Sequence, residues 1–369
     1  MHESCTHIYM LYVYYLFTFL LKKKCDNMNG TNAARNYTDS FSTVVVIESI
    51  VSCSLSILGS FAIFGSYILL PEIRNSTRKL VTCLTIADFL TALGIITSAI
   101  AHLVGTQKDV CKTQSGITTY SSLVSFFLTV AIAIHIFSTV VNRNDKTSSW
   151  QYLVITNIIS WLCPGVIIFL AIENDVLGSD KTENVGTGTW CWLKRDVKDY
   201  MFWMFLTGKG WELLCYLLTT SLYVLLKFYL LLKFKRHQFE EIHESLRNYD
   251  HNFLYVWFIL YLLRLWGTIR SFMNLTGVDK QSPGVEISNV FMHMQAIGDP
   301  AQAFCNFILV CILDKPVRSV LFGDCGREPS RSDRGLLGEN TTGIFTDARD
   351  VGSATNVQRR SYGSLDLSF

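Results

Sequence analysis

Residues 43–70 read TVVVIESIVSCSLSILGSFAIFGSYILL, a run with one charged position, Glu48. A helix needs about 20 apolar residues to cross about 30 Å of hydrocarbon, and strands of 3–10 residues have no use for so long a run. Six more such runs follow, at 80–104, 113–141, 151–172, 200–232, 252–275 and 288–313. No polar stretch between them is long enough to cover them with a soluble domain. The pattern therefore predicts an all-α membrane protein, a seven-transmembrane helix bundle spanning 43–313.

Composition points the same way. Of 369 residues, 50% are hydrophobic and 17% charged, with mean hydropathy +0.29. A net charge of +2, with no basic stretch carrying interleaved aromatics outside the spans, argues against nucleic acid as a partner. Ahead of the bundle, 1–42 reads as an extracellular segment. Within it, the apolar run 8–21 before Lys22, Lys23 and Lys24 is read as signal-like or interfacial, the alternative being an eighth span. Asn29 and Asn36 stand in glycosylation sequons, which count only if this segment is outside.

Loop charge bears on orientation. Lys and Arg number 12 in 71–79, 142–150, 233–251 and 314–328, against 7 in 105–112, 173–199 and 276–287. This favours the first set as cytoplasmic. Adding Lys22, Lys23, Lys24 and Arg35 raises the outer total to 11, so charge alone leaves the matter undecided. The cysteines break the tie. Of eleven, Cys111 opens span 3 and Cys191 lies before span 5, both on one side of a seven-span protein. A disulfide between them requires that side to be oxidising, hence an outer N-terminus; the alternative is two free thiols. The expected location is the plasma membrane. After span 7, residues 314–325 form an amphipathic pattern with Val317, Val320, Leu321 and Phe322 on the apolar face, and Cys325 is a candidate for palmitoylation. The Ser/Thr/Gly/Arg-rich stretch 326–369 reads as a disordered cytoplasmic tail.

Seven spans, a cysteine opening span 3 with a partner in the next outer loop, and an amphipathic segment after span 7 resemble a G-protein-coupled receptor. SCSLSILGS (Ser52–Ser60), TIADFLTAL (Thr85–Leu93), LTVAIAIHI (Leu128–Ile136), WCWLKRDVKDYMFWMFLTGKGWELL (Trp190–Leu214) and LRLWGTIR (Leu263–Arg270) are similar to orphan receptors near the slime-mould cyclic-AMP receptor family. The likeness runs from about Ile50 to Gly323. It implies a receptor that passes an extracellular signal to a heterotrimeric G protein, with an anionic small molecule as the thinkable ligand. Span 3 ends Val140-Val141-Asn142-Arg143-Asn144 with no acidic residue before the arginine. Span 7 carries Asp299-Pro300 without a tyrosine three residues later. Switching must therefore use groups other than those of rhodopsin-like receptors.

Ionisable residues inside spans cost about 2.5–3.5 kcal/mol each at a helix centre, so they mark candidate sites. Asp88 and Asp299 both reach mid-membrane, about 12 and 17 Å from the nearer span end. With Pro300, which frees backbone carbonyls, they form a candidate polar activation switch, the alternative being two static buried acids. Lys209 and Glu212 stand three apart, hence on one helix face. They are a structural ion pair or ligand contacts. Arg264 lies about 18 Å into span 6, too deep to snorkel easily, and is a candidate for an internal cavity. Arg270, about 27 Å along, is a weaker ligand candidate.

Trp266 is a candidate packing switch by position. Trp190, Trp192, Trp203 and Trp211 read as interfacial belt or packing. Glu48 and His135 are expected to reach headgroups or water. Arg143, Lys235 and Arg236 are candidate G-protein contacts, Lys235 and Arg236 lying on a basic edge that would equally suit anionic lipid. No metal spacing or nucleophile cluster points to an enzyme, and no cofactor is expected. A retinal-type pigment would need a lysine in the last span, which has none. The alternative, a small multi-span transporter, should show internal repeats or paired Gly/Pro-broken helices, and the only span prolines are Pro164 and Pro300.

Overall fold

The computed structural model describes residues 33–71, 74–142, 150–178, 190–194, 196–234, 261–277 and 284–313. All belong to one compact unit within Met1–Gly323. The run 8–21, Asn29, Arg143, Lys235, Arg236, the segment 314–325 with Cys325, and the tail 326–369 lie outside the described residues, as does the side chain of Asn36.

The described residues form seven helical spans. They are α1 (Ala33–Leu69), α2 (Ser76–Val104), α3 (Gln107–Asn142) and α4 (Trp150–Glu173). Then comes α5, built from Tyr200–Met204, a π-turn Phe205–Lys209 and Gly210–Phe234. The sixth, α6, is described over 261–276. The seventh, α7, runs through Gly284–Gly298, a 3-10 turn Asp299–Ala301, Gln302–Phe307 and a π-turn Ile308–Leu313. Among the described residues, the first five are long and apolar enough to cross a membrane, from Thr43–Leu69 to Tyr200–Leu232. Helix α1 begins at Ala33, ten residues ahead of the expected span, although its apolar part starts at Thr43 as expected.

Local chemistry explains the helix ends. Asn75 caps α2 by accepting from the Arg78 N–H at 2.9 Å, and Gly105, left-handed at φ 79°, closes it. Arg74 donates to the Tyr67 and Ile68 carbonyls, both at 2.8 Å, meeting acceptors that the end of α1 leaves without helical donors.

Side chains facing outward are large and apolar, among them Leu162, Val166 and Phe169 on α4 and Leu217, Phe228 and Leu231 on α5. That is the surface lipid requires. Inside, α3 is the central post. Its Leu123 and Phe126 pack with Ile167, Ile168 and Ala171 of α4 and Cys215 and Tyr216 of α5, and its Val124, Leu128 and Ile132 pack with Leu80, Leu84 and Ala87 of α2.

The α1–α7 seam is polar. Pro300 has no N–H, so the Ala296 carbonyl lacks its helical donor; Ser49 donates to it at 3.4 Å. Ser52 donates to the Ile297 carbonyl at 2.7 Å, and Ser56 to that of Pro300. On the other side of α7, Gly298 sits so close to α6 that a Cβ would collide with the Leu263 carbonyl oxygen. Between them these contacts hold the irregular middle of α7 in place.

Two expectations are corrected. Glu48 does not reach headgroups: its side chain is buried against α7, where His293 Nδ1 meets Oε2 at 2.8 Å. His135 is likewise buried, its ring stacked 6.5 Å from Tyr152 of α4. Both lie at helix seams rather than on the lipid face, since the rotation of α1 and α3 points them inward.

Candidate functional site

Polar side chains from five helices meet in the bundle core. On α5, Lys209 Nζ donates to Glu212 Oε2 at 2.7 Å, both side chains being buried. Glu212 Oε1 accepts from Tyr216 at 2.8 Å and from Thr268 of α6 at 2.5 Å, while Thr268 accepts from Lys209 at 3.4 Å. The expected pair is thus a four-residue knot that ties α5 to α6. The π-turn helps to build it. One extra residue shifts the helical phase by about 100°, and Lys209, its last residue, faces the core with Glu212.

One helical turn from Thr268, Arg264 begins a second set of links. Its Nε donates to Gln302 Oε1 of α7 at 3.1 Å, and its guanidinium lies 4.8 Å from the Phe126 ring centroid on α3. Gln302 Nε2 donates to Ser125 Oγ at 3.0 Å, Ser125 donates to Asp88 Oδ1 at 2.8 Å, and Asn306 Nδ2 reaches Asp88 Oδ2 at 3.0 Å. Arg264 Nη2 is buried and has no hydrogen-bond partner among the described residues. Arg264 forms no contact ion pair there either, although its charge acts on Asp88, Glu212 and Asp299 alike.

The third set runs along α7 toward its N-terminal end. Asp299 Oδ2 accepts from Gln295 Nε2 at 3.1 Å, and Gln295 Oε1 accepts from Arg270 Nη1 at 3.1 Å. Asp88 and Asp299, expected from sequence to form one cluster, therefore have separate hydrogen-bond partners, while the charge of Arg264 acts on both. Trp266 stands apart from this network. Two residues beyond Arg264, and so about 200° around the helix, it stacks on Phe291 of α7 with ring centroids 5.8 Å apart.

Six members of the network are absent from the sequence candidates: Ser125, Tyr216, Thr268, Gln295, Gln302 and Asn306. None of them carries a charge in a span, the signal that marks the others. Gln302 and Asn306 do carry a usable one, two amides four residues apart on one face of an apolar span, because a polar group facing lipid without partners is costly. The hydroxyl residues carry none, since spans contain many that bond their own helix, as Thr219 does to Cys215.

Near the N-terminal end of α3 the loop between α4 and α5 is fastened. Cys111 and Cys191 form a disulfide with Cα atoms 5.4 Å apart, and the Cys191 N–H donates to the buried Gln114 Oε1 at 2.9 Å. Strands β1 (Leu177–Gly178) and β2 (Trp192–Leu193) pair antiparallel. Trp190 is buried against Cys53, Ala92 and Ile95 rather than standing in a belt. Trp211 donates to the Leu206 carbonyl at 2.9 Å and packs on Phe127, and Trp203 packs on the α3–α5 core.

Asp175 lies in this loop, outside the spans, held by Lys112 at 2.6 Å and Lys194 at 2.5 Å. These lysines lower its pKa from 3.8 to about 2, the Lys112 hydrogen bond first. A depressed carboxylate stabilises the fold above the unfolded value and loses that contribution as pH falls through the folded one. The strap should therefore persist at neutral pH and loosen between about pH 4 and 2. Exchange of the Lys194 amide, which donates to the Val176 carbonyl at 3.0 Å, should rise across that window once corrected for intrinsic rate. In Asp175→Asn it should be raised already at neutral pH, and a flat profile in the native chain would refute the assignment.

The family model described as slime mold cyclic AMP receptor matches residues 33–281. The chain is 31% identical over 284 residues to G-protein coupled receptor 157 of Homo sapiens, covering 75% of this chain and 82% of that one. Against the protein of the same name from Mus musculus it is 30% identical over 294 residues, covering 75% and 84%.

Proposed function

Since the chain belongs to the slime mold cyclic AMP receptor family and is a multi-pass membrane receptor of the G-protein-coupled type, we propose that it relays an extracellular ligand to a heterotrimeric G protein. In this reading it sits in the plasma membrane with the N-terminus and the disulfide-held loop outside. The ligand is a small anion. One observation carries that class: Arg264, a buried cation with an unpartnered Nη2 and no carboxylate in contact among the described residues. A buried charge without a contact partner is unfavourable, and a carboxylate or phosphate would complete it.

Lys209 and Arg270 lie within the same α5–α6–α7 wall of the core. A ligand shifts an equilibrium only by binding one conformation better than the other. Here, contact with Arg264 would compete with its bond to Gln302 and so disturb the links to Ser125 and Asp88. The cytoplasmic ends of α3, α5 and α6 would then open to the G-protein α subunit, with Arg143, Lys235 and Arg236 as its proposed contacts.

The test is nucleotide exchange on a panel of Gα subunits by the receptor in membranes, without ligand. Basal exchange on at least one subunit is expected. Arg264→Gln, which keeps a donor but removes the charge, should change that basal rate at equal surface expression. No exchange on any subunit would overturn the coupling reading.

A further inference from the structure

Trp192 occupies an unusual place. A Cβ on Gly208 would lie 2.8 Å from its Cζ2 atom, closer than real Cβ atoms approach a neighbour. Gly208 belongs to the π-turn, next to Lys209, and Gly210 on the other side has no room either, because a Cβ there would lie 2.6 Å from the Phe205 carbonyl oxygen. A glycine is needed at 208 for the ring and at 210 for the turn itself.

The backbone that carries the ring is fastened on three sides. Cys191, its neighbour, is tied to α3 by the disulfide and by Gln114, and Trp192 itself is in register with Gly178 of β1. On the far side of the contact, Lys209 is bonded to Glu212 and Thr268. A single file of contacts therefore leads from the outer loop, through an indole seated on a glycine, to a hydrogen bond on α6.

We propose that Trp192 is a positioning residue: its seat on Gly208 transmits displacements of the disulfide-held loop through the π-turn to Lys209 and Thr268, and so to α6. This rests on the reading that ligand arrives from the side of that loop. It adds a route by which contact with the loop alone, without entry to the core, biases α6.

Spatial adjacency does not establish coupling; a double-mutant cycle does. The measurement is hydrogen exchange of the full-length purified protein, followed in peptides covering 205–212 and 261–276. Gly208→Ala should speed exchange in both segments on the order of fivefold, because the new methyl displaces the ring. Helix propensity alone predicts the opposite sign, alanine being the better helix former. In a Trp192→Ala background, where the methyl has room, Gly208→Ala should no longer speed exchange in either segment. Trp192→Leu serves as the background if the alanine variant does not fold. Gly65→Ala, at a site where a Cβ meets nothing within 4 Å, should leave both segments unchanged.

Two results would overturn the proposal. One is an acceleration that survives removal of the ring; the other is an acceleration confined to 205–212. Exchange is read without any G protein, so absence of basal nucleotide exchange would count against the coupling reading alone.

Discussion

Lys209→Met alone should remove most of the protein from the cell surface, Glu212→Gln alone should do the same, and the two together should restore it. The reason lies in what each single change leaves behind. The pair is buried, with side chains 11% and 5% exposed, and a charge stranded at such a site costs about 3–5 kcal/mol. That is a large fraction of the roughly 5–15 kcal/mol by which folded domains are usually stable.

In the double variant, the Gln carbonyl oxygen can still accept from Tyr216 and Thr268, as Glu212 Oε1 does in the native chain. No ion is left at that point of the core. Surface quantification together with thermal unfolding of the purified variants decides the matter. Equal losses in all three would show that the charges act through something other than each other. The double variant also separates two roles: if it reaches the surface but an agonist of the native protein no longer activates it, the pair contacts ligand as well as holding α5 to α6.

Cys111→Ser or Cys191→Ser should lower stability by about 2–4 kcal/mol, with surface expression falling accordingly. The two cysteines are 80 residues apart in sequence, and opening a closure of that length returns conformational freedom to the unfolded chain. More than a loop tether is lost. The Cys191 amide is held by Gln114, and Trp192 is seated beside it. The double Ser variant should behave like either single one, because one bond is removed in all three. Mass spectrometry finding both thiols free in native protein purified from the cell surface would defeat this expectation, and with it the argument for an oxidising outer side.

The positions of the spans are legible in the amino-acid sequence by itself. The lengths of the seven apolar runs depend only on local composition and on the thickness of hydrocarbon, so the spans at 80–104 and 151–172 appear as α2 and α4 within a few residues. The Lys209–Glu212 contact is equally legible, being a short-range consequence of helical spacing. So is the disulfide, once both cysteines fall on one side of the bundle.

What the tertiary structure alone decided is how far each helix is rotated and which residues distant in sequence meet. Glu48 is not a headgroup contact but the partner of His293, 245 residues away, because α1 packs on α7 with that face inward. Ser125 joins Gln302 across 177 residues, and Thr268 joins Glu212 across 56. The π-turn shifts the phase of α5 and the 3-10 turn at Asp299–Ala301 that of α7, while Gly298 lets α7 approach α6 closely. Summed hydrophobicity reports that a helix is in lipid, because transfer energy adds residue by residue. It carries no information on which hydroxyl faces which amide, because that pairing exists only after the helices have packed.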